Sequence, residues 1–308
     1  MRVAMTGSTG LIGSQLSDLL SADGHQVVGL VRPGSRPRPG ETVAWNPDNG
    51  DVDTAGLQGV QALVHLAGES IAGEHLLLGS RWTSEKKRRI LDSRIQGTET
   101  IAKALATMTD GPQVLVCASG IGVYGDRGDE VLTEDSGPGV GFLAEVVQAW
   151  EAAAFPAREA GVRVVHVRMG VVQSPNGGAL GRQLPIFKIA GTARLGSGRQ
   201  YVSWVALDDV AGVLRHALVT ESLHGVVNAT APTPVSNAEY TRTLARVIRR
   251  PVLPIGVPAW APGLVLGREL VDELLYYSAR VLPERTEASG YTFSEPHLEA
   301  ALRRMLAR

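Results

Sequence analysis

Apolar positions in the first half of the chain alternate between short continuous runs and helical spacing. Residues 2–6 form a short apolar run that ends in glycines. Leu11, Ile12, Leu16, Leu19 and Leu20 then recur at helical spacing, and Gly24 closes that helix. Residues 25–31 predict a second strand, and residues 33–39 a loop of proline, glycine and arginine. Further along, residues 62–67, 114–119 and 163–172 read as strands three, four and five. Between them lie a charged helix over 83–107, with a capped start at Thr83-Ser84-Glu85, and a helix over 142–160. Strands alternating with helices predict an α/β fold whose parallel sheet is covered on both faces.

The pattern loosens after Val172. Residues 175–178 are a loop and 180–189 a helix, and 204–218 return to strand then helix. Residues 226–228 predict a last sheet strand, 236–248 a helix, 250–258 a proline-broken extended segment, and 264–308 a mainly helical end. This divides the chain into a sheet domain over 1–175, with a return segment over about 202–230, and a smaller, mainly helical C-terminal lobe over 176–201 and 231–308.

Bulk properties narrow the partners. The 308 residues carry a formal charge of −1, which argues against a nucleic-acid partner. Lys86-Lys87-Arg88-Arg89 then reads as a solvated helix face. No apolar run is long enough to span a bilayer, and the reading includes no membrane partner. The short apolar run of residues 2–6, broken at Gly7, reads as a first strand, not a leader. The single cysteine, Cys117, sits in an apolar strand as a buried small residue and suits a reducing, cytoplasmic compartment. The seven histidines show no metal-ligand spacing. Oligomeric state is not legible.

The chemistry begins at the first turn. Thr6-Gly7-Ser8-Thr9-Gly10-Leu11-Ile12-Gly13 follows a strand, opens an amphipathic helix and precedes a second strand. Gly7, Gly10 and Gly13 suit a tight turn, a close backbone approach to a pyrophosphate, and packing of the helix on its strand. The Thr9, Leu11 and Ile12 backbone completes an anion-binding helix start. These features define a Rossmann-type, doubly wound nucleotide domain. At the end of the second strand an acid would bind a ribose 2′-hydroxyl, whereas arginine suits a 2′-phosphate. The chain reads Leu30-Val31-Arg32-Pro33, with Arg36 nearby, and this favours NADP over NAD.

With these residues in place the chain resembles the short-chain dehydrogenase/reductase superfamily. The resemblance continues through His65-Leu-Ala-Gly-Glu-Ser70, Ser93-Arg-Ile-Gln-Gly-Thr98, Ala118-Ser-Gly-Ile-Gly-Val-Tyr-Gly125 and Arg168-Met-Gly-Val-Val172. More narrowly, it is similar to the atypical group related to nucleoside-diphosphate-sugar epimerases, which carries a C-terminal domain of undefined function. Gly68-Glu69, Arg81-Trp82, Gly198, Ser203-Trp204, Asp208-Asp209 and Pro283-Glu-Arg-Thr286 carry that narrower match. The resemblance implies that Leu66, Ala67, Gly68 and Glu69 pass beside the cofactor. It implies that Arg94 replaces the usual asparagine and reaches the cofactor, that Ser119 matches the upstream catalytic serine, and that Val172 touches nicotinamide through its backbone.

One departure is large. Active members of the superfamily use Tyr-x-x-x-Lys, in which lysine lowers the tyrosine pKa for proton exchange. Here the corresponding helix begins Gly141-Phe-Leu-Ala-Glu-Val-Val147, so Leu143 or Phe142 replaces tyrosine and Val146 or Val147 replaces lysine. Tyr276 and Arg280 have the spacing but lie far downstream, where helix packing explains them. Proton handling would fall to Ser119 with water, or to Glu69, which could instead bind a ribose or pair with Arg94. Tyr124 follows the fourth strand without an implied proton role. Asp208 and Asp209 read as helix caps, and Trp204 as core or pocket wall.

The leading reading is therefore an NADP-dependent oxidoreductase acting on an unidentified small carbonyl or alcohol. A non-catalytic, NADP(H)-binding redox sensor or structural protein is its rival. A sugar-nucleotide epimerase is a third reading, weakened by the missing pair.

Overall fold

In the computed structural model, residues 1–35, 40–73 and 81–306 are described. The elements run β1 (Arg2–Thr6), α1 (Leu11–Ala22), β2 (Gln26–Val31), β3 (Thr42–Asn46), β4 (Asp51–Val52), β5 (Ala62–His65), α2 (Ser84–Thr107), β6 (Val114–Gly120), β7 (Val131–Leu132), α3 (Phe142–Ala152), α4 (Phe155–Glu159), β8 (Arg163–Met169) and β9 (Val171–Ser174). They continue with α5 (Gly178–Ala190), β10 (Tyr201–Val202), β11 (Trp204–Ala206), α6 (Leu207–Val219), β12 (Gly225–Ala229), β13 (Val235–Ser236) and α7 (Asn237–Ile248). The end holds α8 (Trp260–Leu266), α9 (Arg268–Val271), a π-helical turn (Asp272–Tyr276), β14 (Arg280–Val281), α10 (Glu284–Ala288) and α11 (Leu298–Met305).

The main sheet has the order β12-β8-β6-β5-β1-β2-β3-β4 and is parallel except for the last strand. The order reverses beside β1, which opens a ligand crevice at the C-terminal strand ends. One face packs Val3, Met5, Val64, Val116 and Val165 against α1 and α6, and the other packs Leu63, Leu115 and Val164 against α2 and α4. A further core unites Leu180 and Leu184 of α5 with Tyr240 and Leu244 of α7 and Leu298 and Leu302 of α11.

Several sequence expectations change in three dimensions. β3 and β4 were not predicted; Val43 and Trp45 alternate inward over too short a span to signal a strand alone. The 142–160 helix is two helices with Pro156 in the second. The 163–172 strand breaks at Gly170, where a Cβ would stand 2.4 Å from the Ser203 carbonyl. The helical C-terminal stretch also contains β14, which pairs with β7.

Trp204 is fully buried and donates to the Thr233 carbonyl (3.1 Å), so it is core rather than pocket wall. Asp208 and Asp209 lie in the first turn of α6, whose N-cap is Ala206, so neither is a cap. Asp208 instead takes a hydrogen bond from Gln15 Nε2 and pairs with Arg304. Buried Asp209 accepts from Ser294 N–H (2.8 Å), Ser294 Oγ (2.9 Å), Tyr291 OH (3.1 Å) and Glu295 N–H (3.3 Å). Gly212 permits this clamp, since a Cβ there would meet the Tyr291 hydroxyl at 2.2 Å.

Replacing Asp209 by Ala strands these donors in a buried site and should cost about 3 kcal/mol. Urea unfolding of the variant checks this; a loss below about 1 kcal/mol would show that the clamp carries little of the fold.

Candidate cofactor and substrate site

The glycine turn is locked by backbone geometry. Gly7 has φ +67°, and a Cβ there would press on Leu66 and the Ala67 nitrogen at 3.1 Å. A Cβ on Gly13 would stand 2.2 Å from the Gly7 carbonyl oxygen, so only glycine lets α1 start this close to the turn. Buried Thr6 fastens the turn to β5, its Oγ1 accepting from Leu66 N–H (3.0 Å) and Ala67 N–H (3.2 Å). The Thr6 hydroxyl proton is left for His65 Nδ1 at 2.8 Å. His65 lies edge-on to Trp45, and burial lowers its pKa to about 4, so it is a neutral core histidine at pH 7.

Gly10 is the N-cap of α1 without a side-chain cap, and no acid lies in the first turn. The positive helix end near Leu11, Ile12 and Gly13 therefore faces the crevice without a local countercharge. Thr9 and Gly10 are exposed, and Leu11 lies against Gly177 and Gly178. β2 ends at Val31, and exposed Arg32 follows it directly. Arg36 lies outside the described residues.

A charged cluster sits beyond β5. Arg94 is 7% exposed, donates through Nη1 to the carbonyls of Glu69 (3.0 Å) and Ile90 (3.1 Å), and stacks over Trp150. Its Nε is buried without a hydrogen-bond partner, and Gly68 lies against the guanidinium. Burial lowers the Arg94 pKa to about 10, still charged at pH 7. The Glu69 carboxylate pairs with Lys86 Nζ at 2.5 Å, and its N–H donates to Ser93 Oγ. The Lys86 hydrogen bond holds Glu69 below the usual carboxylate range. Two expectations change here: Arg94 meets Glu69 through its backbone carbonyl, and Lys86 is buried in the cluster rather than on a solvated helix face.

Ser119, at the end of β6, is 5% exposed and donates to Glu151 Oε1 at 2.6 Å. Arg168 holds the same carboxylate through Nε–Oε1 and Nη2–Oε2, both 2.8 Å. Burial pushes the Glu151 carboxyl up, but the hydrogen bonds and charge of Arg168, with the Ser119 hydrogen bond and the His166 ring, together outweigh it and hold it below the usual carboxylate range. Arg168 Nη1 also donates to Tyr124 OH, which lies 2.9 Å from Asn228 Oδ1. Burial raises the Tyr124 pKa, so this tyrosine is a brace. Glu151 was not singled out in the sequence; its only local signal is a carboxylate two helical turns beyond Leu143, in a helix that also carries Glu145 and Gln148.

Phe142, Leu143 and Val146 pack with Ile90, Trp82, Ile71 and Leu274 in an apolar cluster. Val147 packs with Val123, Tyr124 and Val281. Gly141 gives α3 no side-chain cap, and Glu273 supplies it from the C-terminal part, accepting from Phe142 N–H (2.7 Å) and Leu143 N–H (2.8 Å). Val172 lies opposite Val205, with its carbonyl 3.2 Å from where a Gly178 Cβ would stand. Tyr276 donates to the Val257 carbonyl (2.7 Å), while Arg280 stacks on Tyr201. The two are not a catalytic pair. Buried Cys117 has its thiol pushed up to about 12, chiefly by burial, and is inert. Among the described residues no group of histidines, cysteines and acids could hold a metal.

A parallel sheet with this order, a glycine-locked turn and an unneutralised helix start define a dinucleotide-binding α/β protein. The chain belongs to the NAD-dependent epimerase/dehydratase family, which matches residues 3–229, and a domain of unknown function (DUF1731) matches residues 257–305. Epimerase family protein Mb2239 of Mycobacterium bovis is 41% identical over 300 residues, covering 97% of this chain and 96% of that protein. The crystal structure of human epimerase family protein SDR39U1 with NADPH is similar at a TM-score of 0.89 and 35% identity, covering 100% of this chain and 99% of that one. A nucleoside-diphosphate sugar epimerase from Corynebacterium glutamicum gives a TM-score of 0.79 at 34% identity, covering 99% of this chain and 58% of that one.

His65 makes the turn pH-sensitive in a defined direction. Its pKa is near 4 in the fold against an ordinary 6.5, so the unfolded chain binds more protons between these values. Stability is full above about pH 6.5 and falls as pH drops toward 4, by roughly 3 kcal/mol from this group. His65→Gln keeps an acceptor for Thr6 and should flatten the pH dependence of urea unfolding. An unchanged slope would assign the loss to other groups.

Proposed function

We propose that the chain is an NADP(H)-binding oxidoreductase acting on a small carbonyl or alcohol. The glycine-locked turn, with Arg32 at the end of β2, carries this reading. Gly7, Gly10 and Gly13 would admit the pyrophosphate to the α1 backbone, and Arg32 would meet the 2′-phosphate. Leu66, Ala67, Gly68 and Val172 would border the cofactor with backbone. Arg94, whose buried Nε has no acceptor in the protein, fits the same anionic ligand. The NADPH in the human relative supports NADP over NAD. When bound, the nicotinamide supplies or accepts hydride.

For protons, Glu69 is the better placed of the two candidates. It is partly exposed and held ionised by Lys86, which suits it to accept a proton or a hydrogen bond. The Ser119 proton is engaged by Glu151, so Ser119 braces β6 against α3 and β8.

A specific observation favours the non-catalytic reading as a second choice. The positions of the missing tyrosine and lysine are filled by buried apolar residues, Leu143 or Phe142 and Val146 or Val147, and no lysine follows any tyrosine by four residues in the sequence. NADP(H) occupancy would then act as a redox-sensing or structural signal.

Fluorescence titration with NADPH and NADH tests the cofactor assignment. Wild type should bind NADPH more tightly, Arg32→Ala should lose at least about tenfold for NADPH with little change for NADH, and Gly13→Ala should lose both. Equal NADH affinity in wild type would sink the assignment. A carbonyl library with NADPH oxidation as readout then separates the readings: turnover lowered by Glu69→Gln supports the enzyme, and occupancy without turnover supports the sensor.

A further inference from the structure

The C-terminal half carries large apolar side chains that lie outside the core. Ile189 is 88% exposed, Ile255 77%, Trp260 70% and Leu264 68%. Chain connectivity gathers them. Thr192 bridges Val252 and Leu195 bridges Val257, so residues 192–195 and 252–257 form one parallel ribbon. Ile189 lies just before this ribbon at the end of α5, and Trp260 opens α8 just after it. Arg81 holds α8 to the body through the carbonyls of Leu264 and Val265, and α8 buries none of its residues.

The chain around this surface is rich in basic residues, while the nearest acids, Glu269 and Asp272, follow α8 and are paired with Lys87 and Arg268. Residues 174–206 and 249–268 contain no Asp or Glu but seven Lys or Arg, in a chain whose formal charge is −1. Lys188, Arg249 and Arg250 are exposed and flank Ile189 and Val252 along the chain. Residues 251–267 offer one polar side-chain group, the Trp260 indole N–H.

We propose that this face docks peripherally on a bilayer containing anionic lipid. Protein partners are recognised with about one hydrogen bond per 100–200 Å², which a stretch with a single side-chain donor serves poorly. Acyl chains require no such bonds, an exposed tryptophan suits the headgroup boundary, and a basic rim draws anionic headgroups. The earlier expectation of no membrane partner rested on the lack of a spanning segment. That lack is compatible with surface docking: four prolines interrupt residues 251–267, and among the described residues no helix is long and apolar enough to cross a membrane.

Co-sedimentation of the full chain with vesicles of phosphatidylcholine, alone or mixed with phosphatidylglycerol, tests the proposal. The protein should pellet with the anionic vesicles, be released by salt, and show a blue shift of tryptophan emission that Trp260→Phe removes. Ile189→Ser with Trp260→Ser should weaken partitioning at least about tenfold, and Lys188→Gln, Arg249→Gln and Arg250→Gln by about fivefold each. These side chains are exposed, so the variants should retain their circular dichroism and NADPH titration curves. No pelleting, or equal pelleting with neutral vesicles, overturns the proposal. So does self-association abolished by Trp260→Ser without lipid binding, which would assign the face to a second copy of the chain.

Discussion

The Thr6 hydroxyl joins the end of β1 to the first backbone groups beyond β5, and the rest of the site is built around that junction. It brings Leu66 and Ala67 so near Gly7 that the turn has no room for a side chain, while Gly13 brings the start of α1 equally near the Gly7 carbonyl. Strand, turn, helix and neighbouring strand thus share one rigid backbone arrangement. Its result is an uncapped helix start aimed into the crevice at the reversal of strand order.

Two polar groupings flank that crevice and behave differently. Lys86, Glu69 and Arg94 form a charged cluster in which one buried guanidinium nitrogen has no protein acceptor, the pattern of a site completed by a ligand. Ser119, Glu151, Arg168, Tyr124 and Asn228 satisfy one another in a buried chain of hydrogen bonds that ties β6, β8 and β12 to α3. The second grouping fixes the positions of the strand ends and leaves little freedom for proton exchange. Apolar residues in the first turns of α3 extend the same rigidity.

The C-terminal domain of unknown function is part of this construction. Its Glu273 caps α3, and Asp209 of α6 receives residues 291–295. Thr286 donates to the Asn228 carbonyl, so α10 also covers the free edge of β12. The segment therefore completes a helix end, a helix flank and a sheet edge that the nucleotide domain leaves open.

What the sequence determined by itself was local: the glycine turn, the first helix, the starts of α2 and α7, where Thr83 and Ser236 cap as read, and the apolar strands β1, β2, β6 and β12. These depend on backbone conformations and periodicities spanning a few residues. The absent tyrosine and lysine were legible for the same reason, since their spacing lies within one helix. Tertiary structure decided what depends on distant partners. Lys86 is buried because Glu69 meets it from the end of β5, and Asp209 became a clamp because Gly212 admits Tyr291 from far along the chain. Glu273 caps a helix 131 residues away, and β3 is a strand because β2 supplies its hydrogen bonds. No short-range pattern encodes such pairings; they arise when the folded sheet removes polar groups from water and each must find an acceptor or donor wherever the chain has brought one.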